Sequence, residues 1–365
     1  MIDFSTLSDA VDELLDRLPD NGSAVDLQPL LDSLFMHTST RFLTGLSTLS
    51  SDGTLEGPFD VKTFMKTFHD GLFGTGLRIF LGRLTFLAPK TKRLASCEKT
   101  HQFLDFYIER ALARKQNSNL ERSPSGSIID AKPRSMLESL AQETSNKVEI
   151  RSQIIQGMMA SQETTSVLVN NTLFLLSRHA STWNQLRDEI SSAGPENLTY
   201  DSLSASKLIQ NILFETLRLY PVFPLLARVA LTDTMLPTGG GPKGESPIYI
   251  PKGTRVGTSF YALHREPTVF GTNVDDFDPS RWNSIHPSAW EYMPFGGGQR
   301  SCMGKQKALV EASYVLVKIA QSFRHIESRD GRDWKAEMRL TCRNANGCQV
   351  ALFSDDNADK KCRQV

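Results

Sequence analysis

The sequence has no excess of charge of either sign: 41 lysines and arginines stand against 41 aspartates and glutamates in 365 residues. Such a balance leaves no electrostatic footprint for nucleic acid or an anionic surface, so neither is expected as the main partner. Long apolar runs are missing too. None reaches the ~18 consecutive apolar residues of a membrane-spanning helix, and the opening MIDFSTLSDAVDELLDRLPD is too polar and acidic for a signal peptide or an anchor. As written, the chain reads as soluble. Cysteine is scarce: Cys97, Cys302, Cys342, Cys348 and Cys362 show neither CxxC nor zinc-ligand spacing. An odd, scattered set suits a reducing compartment in which free thiols persist. Internal repeats are absent.

What is present is a large stock of core-forming residues, 39% of the chain, in a length above the ~100–200 residues usual for one domain, so one large domain or two are allowed. Apolar residues at helical spacing predict helices over 7–18, 25–46 and 59–77. Residues 71–90, GLFGTGLRIFLGRLTFLAPK, are more apolar than their neighbours. They are expected to pack inside the protein, a lid over an apolar cavity or a face touching a membrane surface being the alternatives. After a turn at Pro89 a helix resumes to about Lys115, and 116–135, polar and rich in turn residues, reads as an exposed loop. From 136 to 179 the helical signal is strong, and IIQGMMASQETTSVLVNNTLFLL is apolar around nearly its whole circumference, which predicts a buried central helix. Beyond Arg228, glycines, prolines and short β-branched runs predict turns and short strands. A helix follows Cys302, and MRLTCRNANGCQVALF reads as a hairpin. The fold class is mainly α with a minor β region.

Four local patterns carry chemistry. In FGGGQRSCMG, residues 295–304, three glycines remove side-chain bulk so that a flat ligand can approach the backbone. Cys302 is read at the mouth of a helix running from Met303, where the dipole favours a negative sulfur, and Arg300 offers a fork for a carboxylate. Taken alone, a cysteine is usually an inert small hydrophobe, and a nucleophilic thiol would need a partnering histidine, which nothing nearby implies. In LIQNILFETLRLYP, Leu208, Ile212, Glu215 and Leu219 share one helix face, so Glu215 sits on an apolar stripe with Arg218 one turn on. A core-facing charge is costly unless paired. ASQETT, residues 160–165, is a polar island in the apolar helix, whose hydroxyls can back-bond and bend it. In YPVFPLLARVA, Arg228 is a ligand contact or a salt-bridge partner. His264, in FYALHREPTVFG, is read as a packed structural histidine.

Together these patterns resemble the cytochrome P450 family. Phe295, Gly296, Gly298, Arg300, Cys302 and Gly304 match its haem-binding signature position by position. The resemblance implies haem b with Cys302 as the thiolate ligand of its iron, Phe295 and Gly298 beside it, and Arg300 and Arg228 on its propionates. Glu215 and Arg218 match the family's Glu-x-x-Arg, completed by Arg281 in FDPSRW, a structural ion-pair cluster. ASQETT matches the oxygen-activation segment, in which Glu163 and Thr164 would form an acid–alcohol proton relay; Ser161 stands where the family usually has glycine. LPTGGGP, residues 236–242, looks like the fungal branch that hydroxylates alkanes and fatty acids.

The resemblance runs from about Asp9 to Phe353. It implies a single haem domain with helices and a lid-like segment (1–115), an exposed loop (116–135), a central helix and the Glu-x-x-Arg helix (136–228), turns and short strands (229–294), and the haem-ligand loop with its helix and hairpin (295–365). It corresponds to the later part of a complete member; the membrane anchor, first strands and early helices have no counterpart. The implied activity is monooxygenation of an apolar small molecule with dioxygen, a long-chain alkane or fatty acid being the favoured substrate and a secondary-metabolite skeleton the alternative. Electrons would come from an NADPH–cytochrome reductase flavoprotein at the cytosolic face of the endoplasmic reticulum membrane. A non-catalytic haem-binding fragment and a cysteine-dependent hydrolase are the rival expectations.

Overall fold

The computed structural model describes residues 4–46, 58, 60–120, 135–193 and 198–354. They form two compact units, Met1–Leu18 with Gln28–Ser166, and Pro19–Leu27 with Val167–Val365.

The first unit is helical. It comprises α1 (Phe4–Arg17), α2 (Leu27–Thr44, from its second residue), α3 (Val61–Leu81), α4 (Lys90–Leu120), α5 (Met136–Glu143), α6 (Lys147–Ser161) and the start of α7 (Glu163–Leu176). Its core gathers one apolar stripe from each of α3, α4, α5 and α6. Phe64 stacks on Phe103 with ring centroids 4.2 Å apart, and Ile150, Ile154 and Met158 close the cluster at four-residue intervals. Helix starts are capped where the sequence supplies acceptors: Asp60 receives the Thr63 N–H, Ser135 that of Glu138, and Asn146 those of Val148 and Glu149.

The second unit holds the sheets. Its helices are the rest of α7 from Val167, then α8 (Ala180–Ala193), α9 (Tyr200–Ala205), α10 (Lys207–Leu219), two single turns α11 (Phe260–Leu263) and α12 (Pro267–Phe270), and α13 (Lys305–Ser322). Strand β1 (Asn21–Asp26) pairs antiparallel with β9 (Gln349–Phe353), which also pairs with β6 (His325–Ser328). Three two-stranded ladders complete it: β2 (Leu225–Val229) with β5 (Arg255–Ser259), β3 (Thr234–Gly240) with β4 (Ser246–Ile250), and β7 (Ala336–Met338) with β8 (Cys342–Asn344). The fold is mainly α with a minor β region, as its sequence implies.

Several boundaries differ from the sequence expectations. Residues 21–26, partly assigned to a helix, form β1, because their ladder partner lies more than three hundred residues away in β9. The final stretch is not one hairpin: β8 turns back on β7, and β9 leaves for the other sheet. The predicted central helix is two helices meeting at Gln162, and only its later part, from Thr165, is buried all round; α6 buries a single face. The apolar 71–90 segment does not pack inside: Phe73, Leu84, Phe86 and Leu87 are exposed. Helix α4 runs on to Leu120, and the rest of the expected 116–135 loop, up to 134, lies outside the described residues, as does Phe59.

Candidate functional site

The best-defined polar cluster is built on α10. Apolar Ile212, Leu213, Leu217 and Leu219 anchor this helix in the core, and Glu215 and Arg218 are carried in with them, each 0% exposed. The carboxylate satisfies five donors. Arg218 donates from Nε at 2.9 Å and from a terminal nitrogen at 2.8 Å; the Asp278 N–H (3.1 Å), Arg281 Nε (3.3 Å) and Trp282 Nε1 (3.0 Å) complete the set. With its remaining donors Arg218 binds the backbone carbonyls of His264, Val274 and Asp276. Arg281 binds those of Phe270 and Asn273 and the Asn273 side chain. One carboxylate and two guanidinium forks thus tie the irregular segment 264–282 to α10. Fully hydrogen-bonded burial is what makes such charges tolerable.

This segment in turn supports the glycine loop. His264 is fully buried, and its Nε2 accepts the Met293 N–H at 2.9 Å. Desolvation lowers its pKa to about 4, with the Arg218 and Arg265 charges acting in the same sense, so the ring stays neutral and able to accept. Tyr292 donates its hydroxyl to the Phe214 carbonyl of α10 at 2.7 Å. Burial, with the Glu215 charge beside it, raises the Tyr292 pKa well above the usual phenol value. Next in sequence comes the loop itself. Gly296 and Gly298 adopt left-handed φ of 70° and 65°, which side chains rarely tolerate. Gly297 is extended, but a Cβ there would lie 2.9 Å from the Trp290 ring and 3.0 Å from Met293. The Cys302 N–H closes the loop on the Phe295 carbonyl at 2.9 Å.

Cys302 is the one exposed thiol among the described residues, Cys97 being half-buried. Cys342 and Cys348 are buried and burial pushes both thiols up, Cys348 far up, which suits inert core residues. Helix α13 starts at Lys305 with Gly304 as its N-cap, not at Met303, so Cys302 lies two residues before the cap. Arg300 and Arg228 are exposed, and neither meets a carboxylate among the described residues; Arg228 donates only to its neighbour's carbonyl in β2. A bare backbone, an accessible soft donor and two unclaimed guanidinium groups fit a flat, anionic, iron-bearing ligand such as haem. The second unit also contains a pocket of about 300 Å³ with an apolar lining that includes Leu219, Pro221, Pro224, Leu225, Trp334 and Met338.

Glu163 and Thr164 belong to the first unit, where they open α7 directly after the break at Gln162. Both are half-buried, and the Thr164 hydroxyl donates to the Ala160 carbonyl at 2.8 Å. Ser161 makes the analogous bond to Gly157, also at 2.8 Å. A break therefore forms although serine replaces glycine. Sequence reading missed the support under the loop, namely Trp290, Met293 and Tyr292; the aromatic density of WEYMPF just before the glycines was the available signal.

A mainly helical fold whose buried Glu–Arg–Arg cluster supports a glycine loop with an exposed thiol belongs among the haem-domain folds. The crystal structure of the cytochrome P450DA haem domain superposes with a TM-score of 0.74 at 23% identity, covering 96% of this chain and 72% of that one. The chain belongs to the cytochrome P450 family, whose profile matches residues 5–347. Among curated proteins it is similar to cytochrome P450 monooxygenase fsdH of Fusarium heterosporum, 36% identical over 96% of this chain and 62% of that one. Cytochrome P450 52E2 of Candida apicola is 36% identical over 84% and 60%, and cytochrome P450 52A13 of Debaryomyces hansenii is 33% identical over 92% and 66%. The chain thus spans roughly three-fifths to two-thirds of the length of these relatives. Family and fold imply haem with cysteine-ligated iron.

Proposed function

We propose that this chain is the haem-bearing part of a monooxygenase that hydroxylates an apolar small molecule. The observation that carries the reading is the exposure of Cys302, at the end of a loop whose glycines offer bare backbone and beside the unclaimed Arg300. In this reading Cys302 would ligate the iron, Arg300 and Arg228 would bind the propionates, and Phe295 and Gly298 would complete the haem-holding loop. When bound, a thiolate-ligated haem supplies dioxygen activation. Glu163 and Thr164 manage protons. Held by its bond to the Ala160 carbonyl, the Thr164 hydroxyl presents its lone pairs as acceptors, and the adjacent Glu163 is the acid–base partner of that relay.

Electrons come from NADPH through a cytochrome reductase flavoprotein. A long-chain alkane or fatty acid is the substrate class that the 236–242 resemblance favours, and the apolar pocket against Trp334 is of matching polarity. No helix among the described residues is long and apolar enough to cross a membrane. The exposed Phe73, Phe86 and Leu87 offer an apolar face for lying on one, consistent with the cytosolic side of the endoplasmic reticulum.

The test is the reduced, carbon-monoxide-treated spectrum of the haem-supplemented chain. The red-shifted band of a thiolate haem is expected, and it should vanish in Cys302→Ser. A band at the shorter wavelength of other haem proteins, or survival of the red-shifted band in Cys302→Ser, refutes the ligand assignment. Replacing Thr164 by Ala should lower product formed per NADPH consumed; unchanged coupling removes Thr164 from the relay.

A further inference from the structure

One face of α2 runs along the broken helix pair α6–α7, wholly within the first unit. Asp32, Ser39 and Leu43 are spaced by seven and four residues, which places them on one helix face. In antiparallel order they meet Ser166, Ser161 and Gly157. The Ser166 hydroxyl donates to the Asp32 carboxylate. The Ser39 hydroxyl, on a side chain only 1% exposed, donates to the Ser161 backbone carbonyl at 3.1 Å. Leu43 lies so close to Gly157 that a Cβ there would be 2.8 Å from its methyl carbon. The break at Gln162 falls between the two hydrogen bonds.

Ser161 is the last residue of α6, so its carbonyl is among the four that a helix end leaves without an intrahelical partner. Unmet, such a group costs its full desolvation. Two neighbouring carbonyls at this end are met by hydroxyls: Ala160 by Thr164, and Ser161 by Ser39. The two hydroxyls divide the work. If Ser39 were lost, the Ser161 carbonyl would seek another donor among the residues that follow it, and the Thr164 hydroxyl is one turn away.

We infer that Ser39 is a positioning residue: by occupying the Ser161 carbonyl from α2, it holds the break open and keeps the Thr164 hydroxyl on Ala160. This deepens the proposed function and rests on the role given there to Thr164. The effect reaches Thr164 through the backbone of α6, without contact between Ser39 and the reacting atoms.

The experiment compares the full chain with Ser39→Ala and Ser39→Thr, which keeps a hydroxyl. Hydrogen exchange read by mass spectrometry should show amides of 157–166 exchanging roughly fivefold faster in Ser39→Ala, the equivalent of one hydrogen bond, with Ser39→Thr restoring protection. NADPH consumption should hold while product per NADPH falls at least threefold, again restored by Ser39→Thr. Unchanged exchange overturns the inference. Faster exchange with unchanged coupling also overturns it, because Ser39 would then be structural only. If the wild-type chain lacks the thiolate-haem band, the proposed function fails separately, and local, hydroxyl-rescued exchange still decides whether Ser39 holds the break.

Discussion

Replacing Glu215 by Ala tests the physical account most directly. The side chain is 0% exposed and answers five donors, three of them on two guanidinium groups. Truncation leaves Arg218 and Arg281 buried with no anion, and breaking one partner out of a buried ion pair costs about 3–5 kcal/mol. Against a typical stability of roughly 5–15 kcal/mol, that is a large share. The urea midpoint of the haem-loaded chain should fall accordingly, with the denaturant slope unchanged. The companion variant Glu215→Ala/Arg218→Ala isolates the electrostatic part. Once Glu215 is gone, deleting Arg218 removes a stranded charge as well as its bonds to the three carbonyls, so the double variant should cost clearly less than the sum of the singles. A loss below about 0.5 kcal/mol for Glu215→Ala, or additivity of the two singles, would show that the buried charges do not depend on one another.

Further outcomes are expected elsewhere. Gly297→Ala sets a methyl against the Trp290 ring and Met293, an overpacking that costs about 1–3 kcal/mol; haem retained after desalting and the thermal midpoint should both fall, and unchanged values would show that the loop yields. His264 is neutral in the fold down to about pH 4 but titrates near 6.5 when unfolded. Its stabilisation is therefore complete above pH 6.5 and is lost as pH falls towards 4, about 2 kcal/mol of it between pH 7 and 5. His37, buried and likewise lowered to about 4, adds to the same slope. Urea titrations at both pH values check this, and a pH-independent midpoint contradicts it. Phe86→Asp/Leu87→Asp removes two exposed apolar side chains, so binding to phosphatidylcholine vesicles in a sedimentation assay should weaken more than tenfold; equal binding would exclude this face.

Local rules carried the sequence reading a long way. The spacing of Glu215 and Arg218 on an apolar stripe foretold a buried pair, and the glycine-rich run before Cys302 foretold an open backbone. Helical periodicity located α1, α2, α3 and α13 to within a few residues. What escaped was set by distant partners. Nothing in Asn21–Asp26 announces a strand whose mate is β9. The apolar 71–90 segment carries the composition of a core yet exposes Phe73 and Phe86, since periodicity ranks faces without saying what covers them. The break at Gln162 is stabilised by Ser39, 122 residues before Ser161 in the chain, a relation no window of sequence contains. The cushion of Trp290 and Met293 beneath Gly297 is tertiary in the same sense.

Along the 264–276 stretch the two arginines that hold Glu215 address main-chain oxygens at positions 264, 270, 273, 274 and 276, and there only at Asn273 a side chain as well. Every amino acid carries that oxygen, so a positive fork aimed at peptide groups is blind to the identity of what it grips. Val274 and Asp276 are accordingly free to drift in character while the trace they follow stays put. Changing the path itself would require altering a grip.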